Sequence, residues 1–115
     1  MCKGKCKYDI ISSGDIMKII TVCGSYKYFN IMEEVALDLE LEGNCVLTPI
    51  DLTKPKEFYS EEDFIMLGKM HKEKIRISDA ILVVNVDNYI GESTRSEIDF
   101  ANSLNKEIIY YTDMK

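Results

Sequence analysis

Ala80-Ile81-Leu82-Val83-Val84-Asn85-Val86-Asp87-Asn88-Tyr89-Ile90-Gly91-Glu92-Ser93-Thr94-Arg95-Ser96-Glu97 decides the fold of this chain. Its first part, Ala80 to Val86, is an almost continuous apolar run, which predicts a strand buried on both faces. Asp87-Asn88 and Gly91 tolerate unusual backbone angles and predict a turn. A helix is then expected to start at Ser93-Thr94. Glu97 follows Thr94 at the spacing of a capping box, in which a hydroxyl and a carboxylate close a helix start between them. Glu97 therefore has two readings. Either it caps its own helix, or it faces a ligand at the carboxyl end of the strand, where open α/β sheets bind their ligands. In the second case the free N–H groups of the helix start face an anion.

The alternation of strand and helix continues outward from this stretch. Lys18 to Cys23 is β-branched and mostly apolar and predicts the first strand, ended by Gly24-Ser25. Ile31, Met32, Val35, Ala36 and Leu39 recur at helical spacing, so a helix is expected from about Asn30 to Glu42. Gly43-Asn44 stops it. Cys45 to Pro49 is the second strand, followed by a loop that contains Asp51 and Pro55. A second helix is expected from Ser60 to Ile77, opened by a Ser60/Asp63 capping box. Its inner face carries Phe64, Leu67, Met70/His71, Lys74/Ile75 and Ile77. The third helix, to Leu104, turns Ile98, Ala101 and Leu104 inward, and Glu107 to Tyr111 is the last strand.

Such a series is built from βαβ units with right-handed crossovers. The expected fold class is α/β: a small Rossmann-like or flavodoxin-like parallel sheet of four strands in order 2-1-3-4, with helices on both faces. Residues 1–16 show no clean period and read as a loosely attached head, so residues 17–115 would form the domain proper.

With 115 residues, the chain has room for one domain. The net charge of −6 argues against a nucleic-acid partner, whose footprint on a protein is basic. No apolar run reaches the length of a membrane span, so no membrane partner is expected. Cys23 and Cys45 lie in strand patterns and read as buried core thiols. Cys2 and Cys6 form a lone CxxxC with no second ligand pair, and His71 is the chain's one histidine, so no metal site is expected. Cysteine usage points to the reducing cytoplasm, and nothing in the sequence calls for a cofactor.

In a 2-1-3-4 sheet the first and third strands are neighbours, and the crevice between them is the switch point where ligands bind. Two loops should meet there. One is Gly24-Ser25-Tyr26, in which Gly24 permits close backbone approach and Ser25 adds a hydroxyl. The other runs from Asp87 through Gly91 to Ser93, Thr94 and Arg95. Arg95 either clamps a phosphate in bidentate fashion or is solvated on its helix. Tyr26, Tyr28 and Tyr89 either stack on a base or pack the loop–sheet junction. Asp79 reads as a structural cap at the strand entrance.

From Met17 to Tyr111 the chain resembles the nucleoside 2-deoxyribosyltransferase-like superfamily, which includes 2'-deoxynucleoside 5'-monophosphate N-glycosidases. The residues that carry the resemblance are Val22-Cys23-Gly24-Ser25, Ser78-Asp79-Ala80-Ile81-Leu82-Val83-Val84-Asn85 and the segment Gly91 to Ala101 with Glu97. The resemblance implies that Glu97 attacks the anomeric carbon of the sugar and that Ser25 and Ser93 bind a phosphate. The chain departs from the family at two points. Thr94-Arg95-Ser96 replaces the Gly-x-Gly turn before the Glu, and His71 stands at a helix position that is usually acidic. Glu97 and His71 are thus the candidate catalytic residues, Glu97 as nucleophile. The resemblance implies N-glycosidic bond hydrolysis or deoxyribosyl transfer on a nucleoside or nucleotide, with a homodimer completing the pocket. The alternative is a nucleotide-sensing module that has kept the pocket and lost turnover.

Overall fold

The computed structural model describes residues 17–114. Strands β1 (Ile19–Gly24), β2 (Cys45–Leu47), β3 (Ala80–Val84) and β4 (Glu107–Tyr110) alternate with helices α1 (Phe29–Leu41), α2 (Glu61–Arg76) and α3 (Glu92–Ser103). The sheet order is β2-β1-β3-β4, and all three strand pairings are parallel. This is the expected α/β architecture. The head expected at residues 1–16, with Cys2 and Cys6, lies outside the described residues. No helix among the described residues is long and apolar enough to cross a membrane.

Strand alternation sorts the core into two layers. On one face Ile20, Val22, Leu82, Val84 and Ile109 pack against Met32, Val35 and Leu39 of α1. On the other, Cys23, Ile81 and Val83 meet Ile75 of α2 with Ile98 and Ala101 of α3. Every residue of β3 is buried, as the uniform apolar run requires. Each fully buried aliphatic side chain contributes about 1.5–3 kcal/mol through removal from water. The site faces the α2/α3 layer, to which Thr21 and Cys23 also belong.

Local signals set the element ends. Ser60 accepts from the N–H of Asp63, and Asp63 accepts from the N–H of Ser60, closing the expected capping box of α2. Gly43 adopts φ +104 just past α1, a conformation that L side chains rarely take. Asp79 accepts from the N–H of Ile19 at 2.8 Å and ties the entry of β3 to β1, which is the structural role expected of it. Asn85 bonds both the hydroxyl and the N–H of Thr112, joining the ends of β3 and β4.

Several expectations need correction. Cys45 is exposed, because β2 is a short edge strand of three residues with little covering it. Ile77 is 49% exposed, because the helix ends before it and turns its side chain out of the α2 face. The α3 helix starts at Glu92 with Gly91 as its N-cap, and no side chain caps it. The capping box of Thr94 with Glu97 is therefore not formed: both residues already lie inside the helix.

Candidate functional site

The carboxyl ends of β1 and β3 open into a cleft of about 890 Å³. Gly24, Ser25 and Tyr26 line it from the loop after β1. Gly91, Glu92, Ser93, Thr94 and Glu97 line it from the start of α3. These are the two loops expected to meet at the switch point. A third wall comes from the loop after β2, with Lys54 and Lys56, and from Phe64, Leu67, Gly68 and His71 of α2.

Gly24 has a tight steric reason to be glycine. A Cβ there would meet the Val84 carbonyl oxygen at 3.2 Å and the Val84 Cβ at 3.3 Å. The close approach of β1 to β3 at this point brings the two loops together.

Two hydroxyls anchor α2 over β1. Ser78 donates to the carbonyl of Lys74 at 2.7 Å, and buried Thr21 shares a 2.6 Å hydrogen bond with Ser78. Lys74 donates from Nζ to the carbonyl of Thr48 at 2.8 Å, holding the loop after β2 against the same helix. His71 lies one turn earlier on α2 and is thereby held against the sheet. On α3, Thr94, Ile98 and Ala101 are the buried side chains. Glu97 lies between Thr94 and Ile98 along the chain and projects to the same side.

Three side chains meet below the cleft. His71 Nε2 is 3.5 Å from Cys23 Sγ and 3.7 Å from Glu97 Oε1. His71 Nδ1 is buried and has no hydrogen-bond partner among the described residues. A neutral ring placed this way keeps its proton on Nε2, because a buried N–H without an acceptor costs more than a bare lone pair. Cys23 and Ser93 both favour the ionised form of Glu97.

Burial dominates the electrostatics of this cluster. It pushes Glu97 up to about 7, against weaker opposing effects of Cys23, Lys72 and Ser93. It pushes His71 down to about 4, with nearby Lys74 adding to the effect. His71 would be charged only below the range in which Glu97 ionises, so their contact is not an ion pair. Burial, aided by Glu97, also holds the Cys23 thiol well above its usual range. Cys23 is therefore a protonated thiol at neutral pH, not an activated nucleophile. His71 is neutral there and holds no imidazolium proton to give a leaving group.

The remaining expected residues divide. Asp87 is exposed in the left-handed conformation at φ 54 and does not line the cleft. Arg95 is also exposed and outside the lining, because it falls on the outer face of α3. Tyr26 lines the cleft, its hydroxyl bonded to Asp51 and accepting from the N–H of Leu52 at 2.9 Å. Tyr28 packs edge-on against Tyr89 at 6.4 Å, and Lys27 Nζ sits 4.1 Å over the Tyr89 ring. Tyr28 is thus a junction residue, whereas Tyr89 also borders the cleft.

Reading the sequence missed Cys23 as part of the site, and it missed Lys54, Lys56 and Phe64. A buried cysteine in a strand carries no local sign of what lies across from it. The two lysines sit in a loop whose path no periodicity reveals. No family model matches the chain, and no curated protein matches it in sequence.

Proposed function

We propose that this domain breaks the N-glycosidic bond of a nucleotide, as a hydrolase or a deoxyribosyltransferase, with the Glu97 carboxylate as nucleophile. One observation carries the reading. Glu97 does not cap its own helix; it lines a cleft with Gly24 and Ser25. The ionised carboxylate attacks the anomeric carbon, forming a glycosyl ester, and the base leaves with the bonding electrons. Water in the open cleft supplies the proton that the base takes up. A second water, or an acceptor base, then attacks the anomeric carbon and frees Glu97.

A phosphate on the substrate is favoured over a bare nucleoside. Lys54 and Lys56 line the cleft of a chain whose net charge is −6. The start of α3 lacks a side-chain cap, which leaves its first N–H groups without intrahelical partners, and Ser93 and Thr94 of that turn line the cleft. Ser25 adds a hydroxyl from the opposite loop. A homodimer is part of the proposal, because Ile65, Met66 and Met70 are exposed on α2 beside the cleft. Sedimentation at high micromolar concentration tests this, and a monomer there counts against it.

A second reading has its own support: the neutral state of His71 leaves no protein acid in place for the leaving base. A domain that binds nucleotides without turnover fits that fact. Incubation with a panel of nucleoside monophosphates, followed by chromatography for free base, separates the two. Base release supports the enzyme, whereas saturable binding without release supports the sensor.

A further inference from the structure

Cys23, His71 and Glu97 come from β1, α2 and α3, and each offers one ligand atom within 4.8 Å of the others. We infer that Cys23 Sγ, His71 Nε2 and Glu97 Oε1 form a three-ligand site for a zinc-class divalent cation, with its fourth position open to the cleft. A tetrahedral ion with metal–sulfur bonds of about 2.3 Å and metal–nitrogen or –oxygen bonds of about 2.0–2.1 Å holds its ligand atoms about 3.3–3.6 Å apart. The sulfur–nitrogen separation is 3.5 Å and the nitrogen–oxygen separation 3.7 Å. Two of the three edges of the ligand triangle are therefore close to metal-binding size before any ion enters.

Charge agrees with spacing. A thiolate and a carboxylate together neutralise a dication, and a neutral imidazole completes the set. The ion can then sit in a buried position without net charge. Cys23 is fully buried and His71 is 7% exposed, so an unbalanced ion here would be costly. A sulfur, nitrogen and oxygen donor set suits zinc and its neighbours. Magnesium and calcium require oxygen ligands and are excluded by the same set.

The donors sit on regular elements. Cys23 lies in β1, which is paired on both sides, and His71 is held by the hydroxyl anchor at Lys74. Glu97 and His71 line the cleft, which provides an entry path. One feature limits affinity. With the ion on Nε2, the ring keeps its proton on Nδ1, which has no acceptor among the described residues. The site thus suits a reversibly bound ion rather than a permanent structural one. Binding would release the thiol proton, so affinity rises with pH. The ion and a glycosyl ester would also compete for the same carboxylate, so an occupied site is a silenced nucleophile.

Cobalt(II) alone, titrated into the full-length chain with Cys2, Cys6 and Cys45 replaced by serine, tests the inference. The expected result is one cobalt per chain, with thiolate-to-cobalt charge-transfer absorption and tetrahedral visible bands. Zinc should displace it and magnesium should not. Cys23→Ser in that background should remove the charge-transfer band and weaken zinc binding by more than about tenfold. Absence of the band before Cys23 is changed, or zinc affinity in the Cys23→Ser protein within about twofold of its parent, overturns the site. X-ray absorption of the zinc-loaded parent gives a reading independent of any variant: one sulfur with nitrogen and oxygen neighbours is expected, and a shell without sulfur sinks the inference. No substrate enters these measurements, so their failure leaves the glycosidic reading untouched, and failure to release base leaves the metal site untouched.

Discussion

His71 Nε2 lies 3.7 Å from Glu97 Oε1 across the gap between α2 and α3, yet burial favours the neutral form of each. His71 is held at about 4 and Glu97 at about 7, each displaced by burial toward its neutral form. The pair is thus two desolvated groups sharing a pocket wall, and its consequences can be measured in the metal-free protein.

Stability should depend on pH through two opposing slopes. Glu97 is raised from 4.5 to about 7 in the folded state, so its contribution is fully present below 4.5 and is lost as pH rises through 7. His71 is lowered from 6.5 to about 4, so its contribution is present above 6.5 and is lost as pH falls through 4. Each amounts to about 3 kcal/mol, because a tenfold change in proton affinity is worth roughly 1.4 kcal/mol. The two nearly cancel across the shared window. Urea denaturation should show Glu97→Gln gaining stability as pH rises from about 4 to 6.5. His71→Gln should instead lose stability as pH rises from 4.5 to about 7. Parallel profiles for the two variants would refute the assignment.

If Glu97 is the nucleophile, Glu97→Gln should lower base release by at least about 10³-fold while nucleotide binding stays within a few-fold. The amide keeps the shape but cannot form the ester. In the parent protein, release should climb with pH and level off above about 7, where the carboxylate is ionised. Undiminished release by the Gln variant would end the catalytic role of this residue.

Gly24→Ala should destabilise the fold by about 1–3 kcal/mol, as overpacking in a close contact does. The added methyl meets the carbonyl oxygen and Cβ of Val84 at 3.2 and 3.3 Å, and neither can give way without moving β3. If the cleft binds a nucleotide, as proposed, affinity for it should fall as well, because the two loops part. Thermal unfolding together with a binding titration checks both effects, and a variant as stable as its parent would contradict the contact.

Thr21→Val keeps the shape of a fully buried side chain and removes the hydroxyl paired with Ser78. The expected loss is about 0.5–1.5 kcal/mol, the net worth of one hydrogen bond, since Ser78 still donates to the Lys74 carbonyl. If this anchor positions His71 toward Cys23 and Glu97, cobalt(II) affinity of the fully folded variant should fall below that of its parent. Unchanged affinity there would confine Thr21 to a structural role.

Local rules settled most of the architecture. The apolar run at Ala80 to Val84 required a strand covered on both faces, because only a doubly buried strand avoids exposing those side chains. Ser60 and Asp63 fixed the start of α2, because a cap is satisfied within one turn of chain. Gly24-Ser25 and Gly91 to Thr94 marked the cleft, because parallel topology puts both loops at one end of the sheet. The direction of Glu97 was not legible. The spacing that suggests a cap is also the spacing of a residue one turn inside a helix, and only the observed start at Glu92 separates them. The exposure of Cys45 depended on β2 being an edge strand. The meeting of Cys23 with His71 and Glu97 depended on strand alternation, the rotation of two helices and the anchor at Lys74 acting together. The sequence by itself determined which elements form and in what order, because propensity, capping and hydrophobic period act over a few residues. Only the tertiary structure decided which atoms face one another, because that depends on how separate elements pack.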